Sequence, residues 1–133
     1  MKIQHDRTSV HALEYHIVFC TKYRRKAITE TVRNDLYDVL RDIAKKNKTY
    51  SIEEINGEED HVHLLVSTNP RQNIPIMIKQ LKGASARTIL TKHPEIKNML
   101  CGGHFWSPTY FIATVSDNTD NQIKDYIASQ GTR

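Results

Sequence analysis

Two segments of alternating apolar residues constrain the fold of this chain more than any other feature of its sequence. They are Leu13–Cys20 and residues 61–67. Because side chains alternate between the two faces of a strand, each segment predicts a strand with one apolar face on a core. A further strand is predicted at 50–55, and Asn56-Gly57 after it is a strong turn signal. We therefore expect 50–67 to form a hairpin with an acidic connection.

Apolar residues at helical spacing predict three helices. The first covers 29–46, with Thr29 or Thr31 as its cap, and the second follows Asn73, a candidate N-cap with a proline two residues later. His93-Pro94 ends the second helix. The last helix covers about 118–130, with Asp117 or Thr119 at its start.

A final strand-like run, 105–115, is interrupted by Pro108. The resulting order is β-α-β-β-α-β-α. This order predicts an α+β, ferredoxin-like fold, in which an antiparallel four-stranded sheet carries two helices on one face and a C-terminal helix follows.

Length and composition indicate one domain over residues 1–133. No apolar run approaches the roughly 20 residues of a membrane helix, and the first ten residues lack the apolar centre of a signal peptide. The two cysteines are too few for a disulfide scaffold. We therefore expect a cytoplasmic protein that does not enter a membrane. Its mean hydropathy of -0.57 indicates a thin core, which pairing with a second copy can complete.

The formal charge of +4 hides a strong segregation of charge. Acidic residues crowd 53–60, whereas basic residues form one cluster before the first helix and a series along the second, namely Lys22, Arg24, Arg25 and Lys26, and Lys79, Lys82, Arg87 and Lys92. Such basic groups either face solvent or, with aromatic residues nearby, bind a phosphate backbone. Charge alone does not decide between the two.

Two further pairs are candidates for chemistry. His61 and His63 lie two apart on a predicted strand, so both face the side opposite Val62 and can share a metal ion, or they are simply half-exposed strand histidines. Tyr126 and Gln130 lie one turn apart on the last helix, where packing is the simpler explanation for a tyrosine. Together the pairs suit phosphodiester transfer, which needs a phenol oxygen in line with phosphorus and a cation at the phosphate.

Five segments in order resemble one protein family over almost the whole chain. They read YHIVFCTKYRRK (15–26), DHVHLLV (60–66), LKGASAR (81–87), FWSPTYF (105–111) and YIASQ (126–130). In these segments the chain is similar to the single-tyrosine HUH transposases, the small transposases of insertion sequences that move as single-stranded DNA.

The resemblance implies that Tyr126 is the nucleophile that forms a 5′-phosphotyrosine link, and that His61, His63 and Gln130 hold Mg²⁺ or Mn²⁺. It also implies a nucleoid-associated homodimer, in which the tyrosine helix can serve the partner's site, and recognition of single-stranded DNA with hairpin ends. The expected DNA contacts are Lys22, Arg24, Arg25, Lys79, Lys82 and Arg87.

Two other functions compete with this one. A domesticated or decayed relative would bind single-stranded nucleic acid hairpins without cutting them, and then His61, His63, Tyr126 and Gln130 would not all be needed. A small metal-binding structural domain would leave the basic second helix without a role.

Overall fold

A computed structural model of the protein describes residues 3–100, 102–115 and 119–131. Within them, a four-stranded antiparallel sheet is formed by β3 (Leu13–Cys20), β4 (Tyr50–Glu58), β5 (His61–Thr68) and β6 (Phe111–Thr114). The strand order is β4-β5-β3-β6. This is the predicted ferredoxin-like order, with the first and third long strands at the centre. A two-stranded pair, β1 (Gln4–His5) and β2 (Val10–His11), precedes the sheet and was not predicted.

Helices α1 (Glu30–Lys45) and α2 (Ile74–Lys92) enclose the main core with the sheet. The predicted cap of α2 is confirmed, since the Asn73 side chain accepts a hydrogen bond from the backbone N–H of Ile76 at 3.0 Å. A 3₁₀ helix, Pro94–Met99, follows α2. None of the described helices is long and apolar enough to cross a membrane.

The opposite face of the sheet carries helix α3 (Thr119–Ser129). Strand alternation sends Ile17 and Phe19 into the main core and Val18 and Cys20 to this second face. There Ile123 of α3 completes a small buried cluster with Val18 and Cys20. Thr119 is the first residue of the helix, and Asp117, the other candidate start, lies outside the described residues.

The predicted position of the hairpin turn was wrong. Asn56 and Gly57 belong to β4, where Gly57 pairs with Val62, and the turn is formed by Glu59 and Asp60. Gly57 is needed for close approach, because an added Cβ would lie 2.3 Å from the carbonyl oxygen of His61. The predicted last strand is also shorter: only Phe111–Thr114 forms regular sheet, and Trp106 contributes an isolated bridge to Thr21.

Candidate active site

The second face of the sheet gathers the candidate residues of β3 and β5. Cys20 is the cross-strand partner of His61, and Val18 is the partner of His63. Since paired residues point to the same side, both histidines share the face on which α3 packs. The predicted placement of His61 and His63 on one face, away from Val62, is confirmed.

Asp60 connects His61 to Arg24. One carboxylate oxygen lies 2.8 Å from Nδ1 of His61, and the other accepts a hydrogen bond from Nε of Arg24 at 3.1 Å. Burial raises the pKa of the Asp60 carboxyl, but the bonds with His61 and Arg24 outweigh it, so the net pKa is lowered. Asp60 is therefore a carboxylate that holds Nδ1 of His61 and leaves Nε2 for another partner.

The loop that supplies Arg24 adopts an unusual backbone. Tyr23 and Arg24 have positive φ angles of 57° and 54°. Such non-glycine residues cost about 1–3 kcal/mol each and persist where surrounding contacts fix them. Here Thr21 fixes the loop, because its hydroxyl donates to the Arg25 carbonyl at 2.6 Å and its N–H donates to the Asp60 carbonyl at 2.9 Å.

His63 meets a third histidine. Its Nε2 lies 2.8 Å from Nδ1 of His16, one of the two nitrogens carrying the shared hydrogen, and the ring centroids are 5.0 Å apart. Burial, followed by the nearby His16, lowers the pKa of His63, which favours the neutral imidazole that a metal ion requires.

Helix α3 places Tyr126 beside the same face. The tyrosine packs against the cluster of Val18, Cys20 and Ile123, and its ring centroid lies 5.7 Å from that of Phe111. Its hydroxyl is 2.9 Å from Oγ1 of Thr109. Burial raises the pKa of the Tyr126 phenol, and the Thr109 hydrogen bond opposes that rise.

Gln130 contacts the residues just before β6, which include Thr109. Its side-chain oxygen accepts hydrogen bonds from the hydroxyls of Ser107 at 3.0 Å and Thr109 at 3.3 Å. Thr109 therefore contacts both members of the predicted tyrosine–glutamine pair. Sequence reasoning assigned no role to Ser107 or Thr109, and the only signal was their place in the FWSPTYF segment.

The six expected DNA contacts lie in different local surroundings. Lys79 and Arg87 line a depression between α1 and α2, Arg25 lines another beside Met99, and the Lys22 ammonium lies 5.8 Å above the Tyr23 ring. Arg24 is paired with Asp60. Lys82 donates hydrogen bonds to backbone carbonyls, so these two bind within the protein.

The donor atoms present suit a divalent cation. His61, His63 and Gln130 carry imidazole nitrogens and an amide oxygen, and Asp60 already orients His61. Nε2 of His63 and the side-chain oxygen of Gln130 are engaged in hydrogen bonds within the protein. A second set of donors, from Glu58, Asp60 and His61, lies within 4.8 Å of one another. His63 lies outside that second set, so the two sets share only His61.

Comparison with known proteins agrees with this architecture. Residues 9–130 match the family model described as "Transposase IS200 like". The chain is 46% identical over 132 residues to the ISDra2 transposase TnpA of Deinococcus radiodurans, covering 98% of this chain and 92% of that protein. It is 32% identical to the transposase of insertion sequence element IS200 from Salmonella typhimurium, covering 88% of this chain and 76% of the relative.

Solved structures show the same fold. A crystal structure of a Deinococcus radiodurans R1 protein described as a transposase superposes with a TM-score of 0.91 at 39% identity, covering 98% of this chain and 99% of that one. A REP-associated tyrosine transposase bound to a REP hairpin gives a TM-score of 0.56 at 11% identity, covering 91% of this chain and 67% of that one, and shows the fold alone.

The fold and site define a small α+β protein with histidines and a helix-borne tyrosine on one face of a ferredoxin-like sheet. This arrangement is the one expected of a single-tyrosine transposase. The chain belongs to the IS200-like transposase family, whose members act in DNA transposition.

Proposed function

We propose that this transposase cuts and rejoins single-stranded DNA at insertion-sequence ends through Tyr126. The observation that carries the proposal is the position of α3, which packs Tyr126 against Val18 and Cys20. These residues are the cross-strand partners of His63 and His61. Tyr126, the proposed nucleophile, and the two histidines proposed to hold the cation therefore belong to one side of the sheet.

The reaction is a phosphodiester exchange. The Tyr126 oxygen attacks the phosphorus as the phenol loses its proton, the bond from phosphorus to the 3′ oxygen breaks, and that oxygen gains a proton. The products are a 5′-phosphotyrosine and a free 3′-hydroxyl. Attack by a 3′-hydroxyl on the phosphotyrosine reverses these steps, so a strand is rejoined without ATP.

His61, His63 and Gln130 are the residues proposed to hold Mg²⁺ or Mn²⁺. When bound, the cation neutralises charge on the scissile phosphate. In the chain alone, Nε2 of His63 faces His16 and the Gln130 oxygen accepts from Ser107 and Thr109. Ligation by either residue requires it to exchange those bonds, whereas His61 is already oriented by Asp60.

Single-stranded DNA with hairpin ends is the proposed substrate, bound by a cytoplasmic, nucleoid-associated homodimer. Support for the hairpin comes from the REP-associated relative, which is bound to one. Of the expected contacts, Lys22, Arg24, Arg25, Lys79 and Arg87 remain proposals for phosphate binding. Within one chain, α3 packs on its own sheet, and exchange of the tyrosine helix between protomers remains part of the proposal.

The test uses labelled single strands that carry the hairpin-forming ends of the DNA flanking the gene. With Mg²⁺, the wild type is expected to form a covalent adduct that survives denaturation, and Tyr126→Phe to form none. His61→Ala is expected to lose metal-dependent cleavage and keep hairpin binding. Hairpin binding without an adduct in the wild type would instead identify the non-catalytic binder.

A further inference from the structure

Lys82 lies in the middle of α2 but does not extend into solvent. Its ammonium donates hydrogen bonds to the carbonyl oxygens of Ser107 at 2.5 Å and Thr109 at 3.1 Å, and lies 5.8 Å above the Phe19 ring. Burial lowers the pKa of the Lys82 ammonium. These two acceptors are backbone atoms on either side of Pro108.

The segment bound by Lys82 is the one that contacts Tyr126 and Gln130. Residues 107–109 precede β6, so their carbonyls are not part of its ladder with β3. The Ser107 N–H donates to the Cys20 carbonyl at 2.8 Å and fixes one end. An ammonium is well suited to hold the rest, because it offers three donors and the site is half-buried.

We propose that Lys82 is a positioning residue for the tyrosine helix and not a DNA contact. By holding the carbonyls of Ser107 and Thr109, it fixes the two hydroxyls to which Tyr126 and Gln130 bond. The inference rests on the proposed function of Tyr126. Lys82 thus has a different role from Lys79 and Arg87, which line the depression between α1 and α2 and remain proposed phosphate contacts.

The first measurement is the single-turnover rate of adduct formation from a saturated hairpin complex. Lys82→Met removes the donors and the charge, and we expect the rate to fall on the order of 10- to 100-fold, as small misplacements of reacting groups do. Hairpin affinity is expected to stay within about twofold, and the slope of its salt dependence is expected to stay unchanged. Lys45→Met, which removes the same charge from an exposed position on α1, is the matched control.

A double variant tests whether Lys82 acts through this segment. Ser107→Ala together with Thr109→Val removes both hydroxyls that meet Tyr126 and Gln130 but keeps the two carbonyls that Lys82 binds. If the lysine acts through those hydroxyls, adding Lys82→Met to this variant causes no further loss of rate. Multiplied rate losses would overturn the inference. Lys82→Arg keeps charge and donors and is expected to recover part of the rate.

Hydrogen exchange separates this inference from the proposed function. In Lys82→Met, the Ser107 amide is expected to exchange about tenfold faster than in Lys45→Met, whether or not the wild type forms an adduct. Unchanged exchange would overturn the positioning role. Weaker hairpin binding with a salt slope reduced by about one would identify Lys82 as a phosphate contact instead. No adduct from the wild type would refute only the proposed function.

Discussion

Replacing Asp60 with asparagine should weaken metal binding through His61. The carboxylate serves two donors, Nδ1 of His61 at 2.8 Å and Nε of Arg24 at 3.1 Å. An asparagine offers one oxygen and one NH₂ group, so it can accept from only one of them and turns a donor toward the other. In the variant, either His61 loses the acceptor that fixes its tautomer, or residue 60 loses the bond to Arg24 that holds it in place.

The expected loss of metal affinity is large because the Asp60 carboxylate is shielded from water. The Asp60 side chain is 13% exposed, so water replaces the lost bonds poorly. Loss of such an outer partner of a metal-binding histidine costs about 10- to 100-fold in metal affinity, which equals about 1.4–2.7 kcal/mol. Hairpin affinity in the absence of metal should not change, because neither Asp60 nor His61 is proposed to contact the hairpin.

Mn²⁺ titration followed by the electron paramagnetic resonance signal of the free ion measures this directly. Glu58→Gln is the informative comparison, since Glu58 is an exposed carboxylate in the second set of donors. A fall in Mn²⁺ affinity that is confined to Asp60→Asn would support the role of Asp60 in orienting His61. Equal falls in both variants would place the ion among the carboxylates, and an affinity within twofold of wild type for Asp60→Asn would refute the reasoning.

Three further predictions follow from the buried groups. Trp106→Phe loses the indole hydrogen bond to Ser85 at 3.1 Å and part of the packing on Phe105, and should destabilise the fold by about 2–3 kcal/mol in urea denaturation. Burial and the nearby Asp60 raise the pKa of the Cys20 thiol to about 11, so peptide mapping after iodoacetamide at pH 8 should find Cys20 unlabelled until the protein is unfolded. Because the folded-state pKa of Asp60 is lowered, its contribution to stability is present above about pH 4 and is lost as pH falls further, so acid denaturation of Asp60→Asn should converge with that of the wild type.

The site also shows that basic residues can have partners within the protein that the sequence did not indicate. Arg24 sits in a basic cluster and Lys82 in a basic helix, and both were expected to contact DNA. In the fold, Arg24 pairs with a carboxylate 36 residues away, and Lys82 binds a carbonyl 27 residues away. Spacing along the chain carries no information about such partners, because only the packing of separate elements brings them together.

Local patterns predicted the elements and their faces well. The bounds of β3 matched, α1 differed by one residue at each end, and the Asn73 cap formed as expected. These features depend on periodicity and capping, which act over a few residues. The prediction of a turn at Asn56-Gly57 was wrong because a turn signal competes with strand pairing. Here Gly57 lies within β4 and permits the close approach of β5.

The sequence by itself determined the order of the four main strands and the three α-helices, the family, and the placement of His61 and His63 on one side of a strand. A period of two or of 3.6 residues is enough to fix which face a side chain occupies. Only the tertiary structure decided that Asp60 and Arg24 support His61, that His16 meets His63, and that Thr109 joins Tyr126 to Gln130. Apart from the bond between the neighbours Asp60 and His61, those contacts join residues at least 17 positions apart. They form only when the strands, the loop that carries Arg24 and α3 have packed together.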